Sequence, residues 1–318
     1  MKRTGLFNIV ILLLCAMIWG FAFSAQSVGA EHVGPWTFLA ARAWIGVLTL
    51  LVFIGFRGVI IKHTAEGRRA YEDARILYSG EDESAGKVRS RGGISWKLIS
   101  AGAVTGVLLC LASVLQQAGI AYTSVAKSSF ITAMYVVIVP VISRLFGKKQ
   151  GTKIWVAVFL CVAGLYMLSF SGNIDSINKG DLLTILCAFL FSLQILCINH
   201  YVDRLDGLLL SCGEFFFEAV CATIGMLVFE EISVASLIPA AGAILYAGIM
   251  SNGIAYTLQI IGQKNFDPAI ASLCMCMESV FGALGGFIIL GQKLTLRELA
   301  GCTLMFLAIV LAEVNWKE

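Results

Sequence analysis

The sequence predicts an all-α integral membrane protein: ten transmembrane helices arranged as two inverted five-helix repeats. Three observations predict it: an apolar composition, ten long apolar stretches of helical period, and two halves that can be laid on each other. Of 318 residues, 58% are hydrophobic and 14% are charged, and the mean hydropathy is +0.87. Soluble domains carry roughly 45–50% apolar and about 25% charged residues, so the solvent for this chain is lipid.

The apolar stretches fall near 6–28, 35–56, 97–119, 124–145, 153–171, 181–200, 207–229, 237–262, 268–290 and 296–314. A hydrocarbon core about 30 Å thick takes about 20 residues of helix, which these stretches supply. The alternation of a β-barrel is absent. Span one follows "MKR" as a secretory signal would, but its apolar run is long. Trp19, Phe21 and Phe23 also stand where a small-residue cleavage site belongs, so it is kept as a helix. Pro35, Pro239 and Pro268 are expected at span starts, where a missing N–H costs nothing. Pro140 lies inside span four, where it should kink the helix or leave a carbonyl free.

Spans two and three are separated by the one sizeable polar segment, about 57–97, with "HTAEGRRAYEDARILYSGEDESAGKVRSRGG" at its centre. It is too short and polar to build a core and reads as a solvated linker, a regulatory element being the alternative. Eighteen of the 23 Lys and Arg residues fall on the side of the N-terminus, four on the other, and Arg42 within a span. That asymmetry places both termini in the cytoplasm and the protein, multi-pass, in the cell inner membrane. The ten cysteines lie almost all in spans without a CxxC pair, and read as small core residues rather than a redox or metal site.

Shifted by 144 residues, "YTSVAKSSFITAMYVVIVPVISRLFGKK" lies on "FDPAIASLCMCMESVFGALGGFIILGQK", matching Ser128 to Ser272, Gly147 to Gly291 and Lys149 to Lys293. With a shift of 172, "LCA" at 14–16 falls on "LCA" at 186–188. Five spans per half is an odd number, so the second copy enters the membrane from the opposite face, as in many secondary transporters. The repeats are expected at 1–172 and 173–318.

The motifs that occur along this framework resemble the drug/metabolite transporter superfamily, EamA-type. They are "WGFAF" in span one, "FLAARAWIG" in span two, "GIAYTSVAKSSFITAMYVVIVP" in span four, "GDLLTILCAFLFSLQ" in span six, "YTLQIIGQK" in span eight and "LGQKLT" after span nine. The chain departs from the family pattern at Lys148 and Gln292, where glutamate is frequent, and at Ser279, where proline is. The resemblance implies a central cavity lined by spans one to four and six to nine, with spans five and ten as outer scaffold. It also implies alternating-access transport of small organic metabolites, amino-acid-like or related.

Polar groups within spans are costly and should face the bundle interior or a cavity. Glu278, at the middle of span nine, suits proton coupling or amine binding, or else pairing with Arg42. Arg42 in turn could hold a substrate carboxylate or lock span two to the bundle. Glu214 and Glu218 share one face of span seven and repel if both are ionised; Glu214 is expected nearer the cytoplasm and hydrated, Glu218 deeper. Asn252, Tyr256, Gln259 and Gln263 follow i, i+4, i+7, i+11, a stripe that reads as a cavity face or as helix–helix glue. Trp19, Gln26, Gln116, Gln117, Tyr135 and Gln194 are further candidates. Lys127 sits beside Ser124, Ser128 and Thr132 near the outer surface. It reads as an anion contact at the cavity mouth or as a snorkelling lysine.

No GxxxxGK[ST], HExxH or GxSxG occurs, and His32, His63 and His200 lie at loops or span ends. An intramembrane lipid-modifying enzyme and a non-transporting sensor are therefore the lesser alternatives, and no catalytic residue, metal or cofactor is expected. The expected partners are a small-molecule substrate and the lipid bilayer, with protons and a second copy of the chain, as a homodimer, as further candidates; nucleic acid is not expected.

Overall fold

The structure, a computed structural model, describes residues 3–63, 95–123, 125–148, 150–169, 177–231, 234–290 and 295–313. The centre of the polar segment at 64–94 lies outside the described residues, as do Ser124, Lys149, Gly291 and Lys293. Among the described residues the regular structure is helical throughout. The helices are α1 (Arg3–Ala30), α2 (Pro35–His63), α3 (Trp96–Ile120), α4 (Val125–Thr132), α5 (Tyr135–Leu145), α6 (Thr152–Ser169) and α7 (Lys179–Tyr201). They continue with α8 (Gly207–Phe229), α9 (Val234–Tyr246), a π-helix (Ala247–Ala255), α10 (Tyr256–Gln263), α11 (Pro268–Met275), α12 (Glu278–Leu290) and α13 (Leu296–Glu313). Eight segments among the described residues are long and apolar enough to cross a membrane.

Local chemistry sets the helix starts. Asn178 and Asp181 form a reciprocal capping box at α7. Asp206 accepts from Leu209 N–H at the start of α8, and Asp267 precedes Pro268 at the start of α11. Such caps are each worth about 0.5–2 kcal/mol. The start of α2 is capped from elsewhere in the chain. The Glu230 carboxylate accepts from the N–H groups of Trp36 and Thr37 at 2.8 Å each, and from the Thr37 hydroxyl at 2.6 Å. One proline expectation needs correcting: Pro239 lies inside α9 rather than at its start. Pro140 lies inside α5, in the interior of span four. The interruption of that span falls earlier, at Ala133–Met134, where Met134 N–H bonds back to the Ile131 carbonyl in a tight 3₁₀-type turn. A matching turn at Cys276–Met277 separates α11 from α12, with Met277 N–H bonding to Cys274.

Packing follows the small residues. The helices α3, α4 and α5 pack on α7, where Gly119 and Gly180 bring the backbones so close that a Cβ on Gly180 would lie 2.6 Å from the Gly119 carbonyl. In the same way α1 packs on α10, the π-helix, α11 and α12, with Gly20 against Gly282. Helices α6 and α13 pair through Gly164 and Gly301. Close backbone approach of this kind is the usual means of helix association in lipid, where hydrophobicity alone gives no preference for protein over solvent.

The α2–α8 pair is antiparallel and tied along its whole length. Trp36 stacks on Phe229 near the Glu230 cap, Trp44 Nε1 donates to Thr223, and Arg57 meets Asp206 at 2.7 Å at the far end. Large apolar side chains such as Leu48, Phe159 and Phe229 are exposed on the outside of the bundle, as a lipid-facing surface requires.

Candidate functional site

A cavity enclosing about 490 Å³ of space, its open part included, lies between the group around α7 and the group around α1. The α1 group supplies Trp19, Phe23 and Gln26, then Ser251, Tyr256 and Gln259, then Met275 and Glu278. The α7 group supplies Gln116, Thr132, Tyr135, Phe191, Gln194 and Ile195, and α2 adds Arg42. Span seven, α8, has no side chain on this wall.

The two tight turns bring the first chemical pair together. Tyr135 is the first residue of α5 and Glu278 the first of α12, each immediately after its interruption. The Tyr135 hydroxyl donates to Glu278 Oε1 at 3.2 Å across the cavity. Thus Glu278 does not meet Arg42, the pairing that the sequence left open. Arg42 instead has Glu218 as its anion, with Nη2 3.9 Å from Oε1 and both side chains buried, and its guanidinium lies over the Phe38 ring. At that distance the pair attracts without a direct hydrogen bond, and Arg42 Nε has no partner within the protein.

The amide wall is the second feature. Gln194 Nε2 donates to Glu214 Oε1 at 2.9 Å, and Gln259 Nε2 donates to Gln194 Oε1 at 3.3 Å. Glu214 is therefore fully buried and amide-bound, not hydrated near a surface as expected. Trp19 packs edge-on against Tyr256, with ring centroids 4.7 Å apart, and Tyr256 also packs on Phe215. Trp19 Nε1, Gln26 Oε1 and Gln259 Oε1 are buried on the cavity wall without a hydrogen-bond partner in the protein. Buried polar atoms are normally satisfied, and these three are placed to bond to a polar occupant of the cavity.

Nine of the expected site residues share this wall: Trp19, Gln26, Arg42, Gln116, Tyr135, Gln194, Tyr256, Gln259 and Glu278. Six do not, Gln263 among them, which is fully buried away from it. Glu214 and Glu218 stand behind it on α8. Gln117 donates to the Gln26 carbonyl and tethers α3 to α1. Lys127 meets Asp181 at 2.6 Å, and Asp181 also accepts from the Thr123 hydroxyl, so this lysine staples α4 to α7. Asn252 is fully buried and its Cβ packs against Gly46 of α2.

The fate of Asn252 has a backbone cause. A π-helix closes each backbone hydrogen bond over one more residue than an α-helix, and Tyr256 N–H bonds to the Ser251 carbonyl five residues back. The polar stripe therefore shifts by one position, and Ser251 reaches the cavity where Asn252 was expected. Phe23, Phe191, Ile195 and Met275 were also missed; as apolar residues in apolar spans they carry no signal in the sequence. Cys161 and Cys276, whose sulfurs lie 3.0 Å apart, form a further contact that residue spacing could not show. Among the described residues no group of three or more His, Cys, Asp or Glu is placed to hold a metal ion.

Comparison with known proteins agrees with this architecture. A crystal structure of another protein superposes with a TM-score of 0.72 over 96% of both chains, at 15% identity, a likeness of fold alone. A protein of Archaeoglobus fulgidus named as an uncharacterized transporter is 26% identical over 310 residues, which cover 96% of this chain and 85% of its own. The sequence pattern of the EamA-like transporter family matches residues 6–170 and 178–313, nearly the whole chain. That match covers well over half of the sequence, and the chain, with eight segments among its described residues able to cross a membrane, belongs to the EamA-like transporter family.

Proposed function

We propose that the protein is a secondary transporter that moves a small polar or amphipathic metabolite, amino-acid-like or related, by alternating access. The observation that carries this reading is the cavity itself. One wall presents a guanidinium, a carboxyl, unpartnered amide oxygens and the edges of Trp19 and Tyr256. A ligand with an anionic end, a donor end and a short apolar body would satisfy these groups together. Arg42 takes the anionic group, Glu278 the amine or a coupled proton, and the aromatic rings the apolar part.

In this reading the ten spans form two inverted repeats, 1–172 and 173–318, a division supported by the two segments that match the family pattern. Both termini face the cytoplasm of the cell inner membrane, as the distribution of Lys and Arg supports. Lys127 remains in the reading as a cation at the outer end of the bundle, with Asp181 as its anion.

The test is uptake into proteoliposomes of a panel of radiolabelled amino acids and related metabolites, with and without an inward proton gradient. Saturable uptake of at least one compound by the wild type is expected, together with loss of its proton linkage in Glu278→Gln. No flux across the whole panel would count against the transporter reading, and intact proton linkage in the variant would remove the coupling role of Glu278.

A further inference from the structure

Glu214 does not touch the cavity, yet a continuous line of hydrogen bonds joins it to the cavity wall. The carboxyl accepts from the Gln194 amide nitrogen. Gln194 then has its oxygen turned towards Gln259, which donates its own nitrogen and leaves Oε1 without a partner on the wall. Every amide in this line carries donors at one end and an acceptor at the other, so the direction of the first bond fixes the direction of the rest. A carboxylate can begin the line only as an acceptor.

A proton on Glu214 reverses that condition. Oε2 has no hydrogen-bond partner in the protein, so a proton held there would be a buried donor with no acceptor. Held on Oε1, it can donate to the Gln194 oxygen once that amide turns over. The nitrogen of Gln194 then faces Gln259, which accepts with its oxygen only by turning over as well. The cavity wall then shows an N–H at the place where it showed an oxygen. The carboxylate takes up one proton, two amides rotate, and no other bond changes.

We propose that Glu214 is a positioning residue that sets, through Gln194, whether Gln259 offers the cavity a hydrogen-bond acceptor or a donor. With Glu214 ionised, the wall favours a ligand group that donates, such as an ammonium or an N–H. With Glu214 protonated, it favours a ligand group that accepts, such as a carboxylate or carbonyl. Binding of an accepting ligand and of a proton thus support each other, while a donating ligand and a proton oppose each other. This rests on reading the cavity as the substrate site.

The ionisable groups around Glu214 are Glu218 one turn along α8, Cys197 on α7 and Tyr256 on α10. Arg42 of α2 is paired with Glu218. The neighbouring face of α3 presents the glycines Gly102 and Gly106 to Gly213 and Glu214, and Cys110 of the same helix lies nearer Glu218. One guanidinium therefore stands against two carboxyls on α8, which leaves Glu214 as the acid without a cation of its own.

The experiment is infrared difference spectroscopy of the reconstituted full chain as a function of pH, with protons as the only ligand. A protonated carboxyl band lost in Glu214→Gln is expected, accompanied over the same pH range by a step in the glutamine side-chain amide bands. Gln194→Met should keep the carboxyl band and lose the glutamine step, and Gln259→Met, which cuts the line one link further on, should reduce that step. Glutamine bands indifferent to pH through the carboxyl titration, or a full step persisting in a folded Gln194→Met or Gln259→Met protein, would overturn the relay. The uptake panel in the same vesicles separates the two ideas: an intact amide step without flux removes the transport reading and keeps the relay, and the converse keeps the cavity and removes the relay.

Discussion

Glu218 and Glu278 are both buried carboxyls in apolar spans, but their surroundings differ in kind. Glu218 lies behind the cavity wall on α8, in the α2–α8 pair that is tied at both ends and has a guanidinium as its counterpart. Glu278 lies on the wall, at the first residue after a tight turn, and its partner is the neutral Tyr135 hydroxyl. A buried ion pair is a fixed feature, because removing either member strands the other charge. A carboxyl bonded to a neutral phenol carries no such obligation and can exchange its proton or its partner. The two acids are alike in residue type and burial; what distinguishes them is a charged partner for one and a neutral partner for the other.

The largest test of that contrast is Glu218→Gln, which leaves Arg42 without its anion. It should cost about 3–5 kcal/mol in unfolding or thermal-melt measurements in detergent. The double variant Arg42→Met with Glu218→Leu should recover most of that loss, although it abolishes any role of Arg42 in binding. A single variant as stable as wild type would mean that the pair contributes nothing to the fold.

Next comes Gly20→Ala, where the added Cβ would lie 2.6 Å from Gly282 N and 2.7 Å from the Glu278 carbonyl. Overpacking of this order costs about 1–3 kcal/mol and should displace Glu278 from Tyr135. The measurement is the melt, and an unchanged midpoint would show that α1 and α12 can separate freely. Tyr135→Phe should follow at about 0.5–1.5 kcal/mol, the net worth of one ordinary hydrogen bond. A loss as large as that of Glu218→Gln would place Tyr135 and Glu278 in the architecture after all. Smallest is Glu278→Gln, which keeps an acceptor for the phenol and should change stability by less than about 1 kcal/mol. The same substitution at two acids thus separates a scaffold pair from a site residue.

Helix positions were legible because apolar length alone dictates them, and the starts of α2 and α11 follow from Pro35 and Pro268. Many residues of the cavity wall were legible as polar groups in apolar spans, as at Arg42, Gln194 and Glu278, although Glu214, Glu218 and Gln117 carry the same signal and lie off the wall. What one sequence withholds is pairing across helices. Nothing in it says that Arg42 meets Glu218 rather than Glu278, or that Lys127 meets Asp181. It also withholds small changes in winding. The π-helix exchanges Asn252 for Ser251 at the cavity, and the interruptions at Ala133–Met134 and Cys276–Met277 contain no proline to announce them.

The cap on α2 bears on how the chain is made. Trp36 and the carboxylate that receives its N–H are 194 residues apart in sequence. At a synthesis rate of about 5–20 residues per second, the start of α2 waits roughly 10–40 s for Glu230 to emerge. During that interval its first N–H groups can be satisfied only by water and headgroups at the membrane surface. Until then the α1–α2 hairpin lacks the cap that Glu230 supplies. Biogenesis ends, for this part of the protein, with the arrival of one glutamate from the second half of the chain.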